Sequence, residues 1–234
     1  PSINTLFNHF LKTTKKKTPL TELSVKDISL YTQSMENNKR ERIYLSQSVN
    51  TIYLLQKYIQ LSIKVDSFCI DATAGKGKDT VFLANLVGEK GHVLAMDVQP
   101  AALEATGKLL KQHNLLQRVE LILDGHEHLS HYAEAGTVDC IMFNLGYLPG
   151  GDHKIATNPE TTIVALEQGL QLLKPLGIIS LAIYHGGDTG FVERDAVLSW
   201  LKQLDCKRYT VLVTDFYNRP NYPPLAAIII KEEI

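Results

Sequence analysis

Residues 67–86 read SFCIDATAGKGKDTVFLANL. Ser67–Ile70 is a short apolar run of strand type, and Val81, Phe82 and Leu86 share one face of a helix beginning near Asp79. Ala84 on that helix is small enough to pack closely. Between the two lies a loop that turns on Gly75 and Gly77, where the missing Cβ lets the backbone bend sharply and approach a ligand. Strand, glycine loop and helix in this order open an α/β sheet whose ligands sit where the strands end. The alternation continues outward from this unit. His92–Met96, Val119–Leu123, Val138–Phe143 and Ile178–Ile183 predict strands, and Ala101–His113, Thr161–Leu173 and Phe191–Leu204 predict helices. Val138–Phe143 is almost purely apolar, as a strand covered on both faces should be. Lys174-Pro175-Leu176-Gly177 is expected to stop the helix before it. Tyr209–Phe216 and Leu225–Ile230 are two further strand-like runs, joined by a loop too short for a parallel crossover, so they should pair antiparallel. Residues 46–63 carry Val49, Ile52, Leu55 and Ile59 along one face and predict a helix laid on the sheet.

The expected fold is therefore an open, seven-stranded, mostly parallel α/β sheet of order 3-2-1-4-5-7-6, with the last-inserted strand antiparallel. It occupies residues 46–234, behind an extension of residues 1–45. At 234 residues and 26.1 kDa, with 44% hydrophobic and 21% charged residues, the chain needs no disulfide or metal staple. Its three cysteines, Cys69, Cys140 and Cys206, lie far apart and read as thiols in a reducing compartment. No apolar run approaches the ~18 residues that span a bilayer. The first residues lack the layout of a secretory signal. No membrane partner and a cytoplasmic location are expected. Charge is uneven: residues 1–64 hold ten Lys/Arg against four Asp/Glu, whereas the whole chain has net charge −1. Lys12, Lys15, Lys16 and Lys17 cluster in the first twenty residues, as in an arm that touches nucleic acid or in a solvated tail.

The loop between the first strand and first helix departs from a pyrophosphate site. A G-x-G-x-x-G pattern counted from Gly75 meets Thr80 at its third glycine. Asp71 and Asp79 flank the turn and would repel a pyrophosphate, but they suit a ligand carrying positive charge. S-adenosylmethionine, with a sulfonium, an ammonium and no phosphate, is such a ligand. On this reading Asp71, Thr73, Gly75, Gly77, Asp79 and Thr80 line its site. Asp97, with Val98 and Gln99, ends the second strand, where a carboxylate can accept from both ribose hydroxyls. Asp124, Gly125 and His126 close the third strand beside the adenine, although an Asp-Gly pair fits plain turn chemistry nearly as well.

The fourth strand runs into Asn144, Leu145, Gly146 and Tyr147. An Asn amide oxygen can hold the hydrogens of an amine and aim its lone pair, and the Tyr147 ring can stack on a base. Asn144 and Tyr147 are the expected catalytic pair, and Asn144 with Leu145 is expected to reach the cofactor. Tyr184 and His185 follow the fifth strand, and Asn218 and Arg219 lie in a loop rich in aromatics, the usual grip on unstacked bases. These four, with Tyr147, are the expected substrate contacts. His126, His128 and His131 are spaced irregularly, and no metal is expected.

Several of these stretches together carry a resemblance. Residues 71–83 (DATAGKGKDTVFL), Asp97-Val98-Gln99, Asp124-Gly125-His126, residues 143–151 (FNLGYLPGG), Thr161-Thr162 and residues 183–186 (IYHG) resemble the bacterial family called putative rRNA methylases. Asn218-Arg219 and Pro223-Pro224 fit its closing hairpin. The likeness runs from about residue 46 to the end. It implies a class I methyltransferase fold, S-adenosylmethionine as methyl donor, and a tRNA anticodon stem-loop as partner. It further implies that wobble 5-aminomethyl-2-thiouridine becomes 5-methylaminomethyl-2-thiouridine. Lys76 and Lys78 depart from the family pattern, and a lysine near a sulfonium is unhelpful, so both should point to solvent. Other readings remain: methylation of ribosomal RNA or of a small-molecule amine, or a non-catalytic module that binds a nucleotide such as NAD. No feature of the sequence fixes the oligomeric state, a homodimer being one option.

Overall fold

The computed structural model describes residues 49–146, 157–184 and 187–233. The arm expected at residues 1–45, the aromatic Tyr147 and His185 lie outside them. Residues Asn50–Ile234 form one compact unit. The chain enters through helix α1 (Thr51–Ser62), capped by the Asn50 side chain, which accepts from the Tyr53 N–H. Strand β1 (Phe68–Asp71) follows, then α2 (Lys78–Val87), β2 (His92–Asp97) and α3 (Pro100–Gln112). Next come β3 (Val119–Leu123), a short 3₁₀ stretch at His126–His131, β4 (Val138–Leu145) and α4 (Pro159–Leu172). The chain ends with β5 (Leu173–Ile183), α5 (Gly187–Gln203), β6 (Tyr209–Thr214) and β7 (Leu225–Lys231).

The seven strands form one sheet of order β3-β2-β1-β4-β5-β7-β6, and β7 alone runs against its neighbours. Alternation along each strand divides the interior into two layers. Ile70, Met96, Ile141, Phe143 and Leu181 face α4 and α5, meeting Leu166, Leu170, Val197 and Leu201. Cys69, Val93, Ala95, Cys140 and Met142 face α2 and α3, meeting Leu83, Val87 and Leu110. Helix α1 lays Leu55 against Ala182, Ala226 and Ile228 of β5 and β7. Among the described residues no helix is long and apolar enough to cross a membrane.

The fifth strand begins earlier than expected. Lys174-Pro175-Leu176-Gly177, read as a helix stop, lies inside β5: Leu173 already pairs with Val138, and the regular register resumes at Ile178 opposite Cys140. The ladder shifts between these points, which lets Pro175 and the positive φ of Leu176 (63°) be accommodated in a bulge.

Candidate active site

All parallel strands end on one edge of the sheet, and the candidate residues collect there. The glycine loop is seated from below by α3. Gly75 and Gly77 hold positive φ, and a Cβ at Gly77 would meet Thr106 at 2.8–3.0 Å. The Thr106 hydroxyl donates to the Gly75 carbonyl at 3.2 Å, and the Gly75 N–H donates to the Asp97 carboxylate at 2.9 Å. The other Asp97 oxygen accepts from the Gln99 N–H at 2.9 Å. Each oxygen keeps further acceptor capacity, so Asp97 both braces the loop and remains able to receive two hydroxyls. Val98 stands 55% exposed beside it.

The two loop acids take different parts. Asp71 is fully buried, accepting from the Thr80 hydroxyl at 2.6 Å and from the Thr73 N–H at 3.3 Å. Burial, reinforced by nearby Asp79, pushes its carboxyl up to about 7. Thr80 is equally buried, so it serves Asp71 and not a ligand directly. Asp79 sits at the start of α2, half-buried, and each of its oxygens takes a side-chain amide. Gln56 of α1 donates at 2.9 Å and Asn144 of β4 donates at 2.7 Å.

That last bond settles the orientation of Asn144. Its NH₂ must face the Asp79 carboxylate, so its Oδ1 points the other way. Its backbone N–H donates to the Thr73 hydroxyl at 2.7 Å, tying β4 to the glycine loop. Asn144 Oδ1 is buried and has no partner among the described residues. Such an orphan costs on the order of 1–3 kcal/mol, so it marks a place where a donor is meant to arrive. His126 Nε2 is another buried polar atom without a partner among the described residues. Its ring meets Phe143 edge-on, and burial lowers its pKa, which keeps the imidazole neutral and able to serve a neutral base. These orphans, the spare lone pairs of Asp97 and the bent glycine loop fit an uncharged nucleoside carrying a cationic tail.

The Asp124 carboxylate is taken up by its own turn, accepting from the Gly125 N–H and the Tyr132 hydroxyl and pairing with His128, each at 2.8 Å. These bonds, that of His128 first, hold its pKa down at about 2. Leu145 turns its side chain into the core, because alternation along β4 alternates its faces, so only its backbone is left to meet a ligand. Lys76 and Lys78 are exposed. Tyr184 lies 43% exposed near Asp79, and burial first, then Asp79, raises its phenol. Asn218 and Arg219 are exposed in the β6–β7 loop, with the Arg219 guanidinium 4.0 Å from the Phe216 ring centre. Among the described residues no three His, Cys, Asp or Glu gather as a metal site.

Two residues that the sequence did not single out support the site. Gln56 is one. Glu193 of α5 is the other: 3% exposed, it accepts from the hydroxyls of Thr157 and Thr162 at 2.7 Å each. Thr157 in turn accepts from the Gly146 N–H at 2.8 Å, and its own N–H donates to the Gly146 carbonyl at 2.9 Å. Both reveal themselves only as amide or carboxylate side chains inside otherwise amphipathic helices, a pattern indistinguishable from a solvated face.

A family model described as "Putative rRNA methylase" matches residues 93–230, more than half of the chain. The chain belongs to this family. A curated relative in Arabidopsis thaliana, "tRNA (mnm(5)s(2)U34)-methyltransferase, chloroplastic", is 36% identical over 172 residues. That match takes in 70% of this chain and spans 63% of the relative's length. A Clostridium thermocellum structure described as a putative rRNA-methylase is 47% identical, with a TM-score of 0.77 over 79% of this chain and 99% of its own. A putative methyltransferase from Streptococcus mutans, solved in complex with SAH, is 37% identical, with a TM-score of 0.72 over 79% of this chain and 99% of its own. The family fold is that of the Rossmann-like methyltransferases, in agreement with the sheet order expected from the sequence.

The buried Asp71 predicts a pH signature. Its folded pKa of about 7 lies above the ordinary aspartate value of 3.8, so the folded state retains the proton longer than the unfolded chain. Its contribution to stability is therefore fullest below the unfolded value and falls as pH rises, on the order of 1 kcal/mol per pH unit until about pH 7. Asp71→Asn, which cannot ionise, should gain on the unliganded wild type between about pH 4 and pH 7 in urea unfolding, with no further gain above. Parallel curves would show that this carboxyl does not titrate as its burial demands.

Proposed function

We propose that this protein is an S-adenosylmethionine-dependent N-methyltransferase that converts 5-aminomethyl-2-thiouridine to 5-methylaminomethyl-2-thiouridine at the wobble position of tRNA. The observation that carries the reading is Asn144: an amide locked by Asp79, with a buried oxygen awaiting a donor at the edge where the cofactor crevice lies. The named activity of the Arabidopsis relative and the SAH bound to the Streptococcus structure support it. S-adenosylmethionine, when bound, supplies a methyl carbon on a positively charged sulfur. Asp97 receives the ribose, and Gly75 and Gly77 let the backbone close on the ligand. His126 adds a neutral polar edge. Asn144 Oδ1 accepts an N–H of the substrate amine and so aims the nitrogen lone pair along the line of displacement. The amine attacks as the free base, so its proton must leave first, and no residue need form a covalent bond to the substrate. Action at the wobble position makes a tRNA anticodon stem-loop the partner, and a cytoplasmic location is part of the same proposal.

Purified protein given labelled S-adenosylmethionine should methylate tRNA bearing the aminomethyl group and leave unmodified and already methylated tRNA alone. Transfer to ribosomal RNA or to a small amine in its place would overturn the substrate assignment. Calorimetry should show binding of S-adenosylhomocysteine in preference to NAD, and the reverse order would end the methyltransferase reading.

A further inference from the structure

The hairpin that closes the sheet presents aromatic rings where an RNA would approach. Strand β7 begins at Leu225 opposite Ile183, the last residue of β5, so the β6–β7 loop lies on the same sheet edge as Asn144, which pairs with Ala182. In this loop Asn221 and Tyr222 both hold left-handed backbone, with φ of 63° and 48°. For a bulky aromatic residue this is a genuine outlier, of the kind that persists only when surroundings enforce it. Pro223 and Pro224 follow directly, and the Thr51 hydroxyl of α1 donates to the Pro224 carbonyl at 2.5 Å, so the strained turn is held on its C-terminal side. What the strain achieves is exposure: Tyr222 is 70% accessible, not folded into the core. Its ring meets that of Phe191, at the start of α5, edge to face, with centres 5.9 Å apart and planes at 82°. The Arg194 guanidinium lies 4.9 Å from the Phe191 ring centre and is paired with Asp195 at 2.6 Å, and the exposed Arg219 guanidinium lies 4.0 Å from the Phe216 ring centre. An exposed ring, a second ring buttressing it and a guanidinium on the same loop are the elements that grip an unstacked base and its phosphates.

We infer that Tyr222, buttressed by Phe191 and carried on the same loop as Arg219, is a stacking platform for an RNA base that neighbours the nucleoside entering the crevice. The inference rests on the proposal that the acceptor is RNA. It extends that proposal by assigning the recognition of the flanking base to residues of α5 and the closing hairpin. A flexible polar loop would not need two successive left-handed residues. A protein partner would more naturally meet a continuous apolar patch than an exposed ring in a polar loop that carries a guanidinium.

The test is fluorescence anisotropy with a labelled anticodon stem-loop RNA carrying an unmodified wobble uridine, in the presence of S-adenosylhomocysteine. Tyr222→Ala should weaken binding about tenfold or more, whereas Tyr222→Phe, which keeps the ring face, should stay within about threefold of wild type. A fully paired RNA hairpin of equal length should not distinguish the variants. Affinity for S-adenosylhomocysteine, measured by calorimetry, should be unchanged in all of them. Equal RNA affinity for Tyr222→Ala and wild type overturns the platform. So does a parallel loss of S-adenosylhomocysteine affinity, which would make Tyr222 a structural prop. Tyr222-dependent RNA binding without methylation of aminomethyl-bearing tRNA would overturn the proposed substrate and leave the platform standing.

Discussion

Asn144→Ala is expected to lower the turnover of methyl transfer about 10²-fold, the size of loss that follows when a reacting group is no longer aimed. Affinity for S-adenosylhomocysteine should change far less, because the Asn144 side chain bonds to Asp79 and its backbone N–H, which holds the Thr73 hydroxyl, survives the substitution. Single-turnover rates and calorimetry on one preparation separate the two effects. Asn144→Asp is the sharper variant. It would place a carboxylate about where the amide now meets Asp79 at 2.7 Å, and two acids at that distance cannot both ionise easily. The pair would share a proton, and activity should no longer rise smoothly with pH as the substrate amine becomes neutral. Turnover of Asn144→Ala within a factor of about two of wild type would remove this residue from the mechanism.

Glu193→Ala should produce the largest loss of stability, about 3 kcal/mol. It strands the hydroxyls of Thr157 and Thr162, each now bonded to the carboxylate at 2.7 Å, in a site where water has little access. Glu193→Gln keeps the shape and one acceptor oxygen, so its loss should be smaller, about 1 kcal/mol. Urea unfolding read by circular dichroism gives both numbers. An alanine variant within about 0.5 kcal/mol of wild type would mean that this buried network bears no weight.

The sheet was legible because its signals are local. β3 appears at Val119–Leu123 as its apolar run predicts, and the short Tyr/Asn/Pro-rich connection from residue 215 to 224 leaves β6 and β7 no arrangement but antiparallel. The glycine loop was legible for the same reason, since residues 71–80 lie between one strand and one helix. What stayed hidden depends on distance along the chain. Gln56 meets Asp79 across 23 residues and Glu193 meets Thr157 across 36, and no periodicity foretells a side chain's partner at such separations. The acids were visible, but their protein partners were not: Asp79 accepts from two side-chain amides and Asp124 from groups of its own turn. Leu145 follows the pleat of β4 into the interior, a consequence of strand alternation carried two residues beyond the expected end of the run.

The contact from Gln56 to Asp79 ties chemistry to the seating of a helix that precedes the sheet altogether. Successive residues of a helix point about 100° apart, so sliding α1 by a single position would swing this amide away and leave the neighbouring carboxylate free to rotate. Whatever disturbs that leading segment, whether a fusion, a truncation or a docked macromolecule, would thus be felt at the centre of the crevice without touching it.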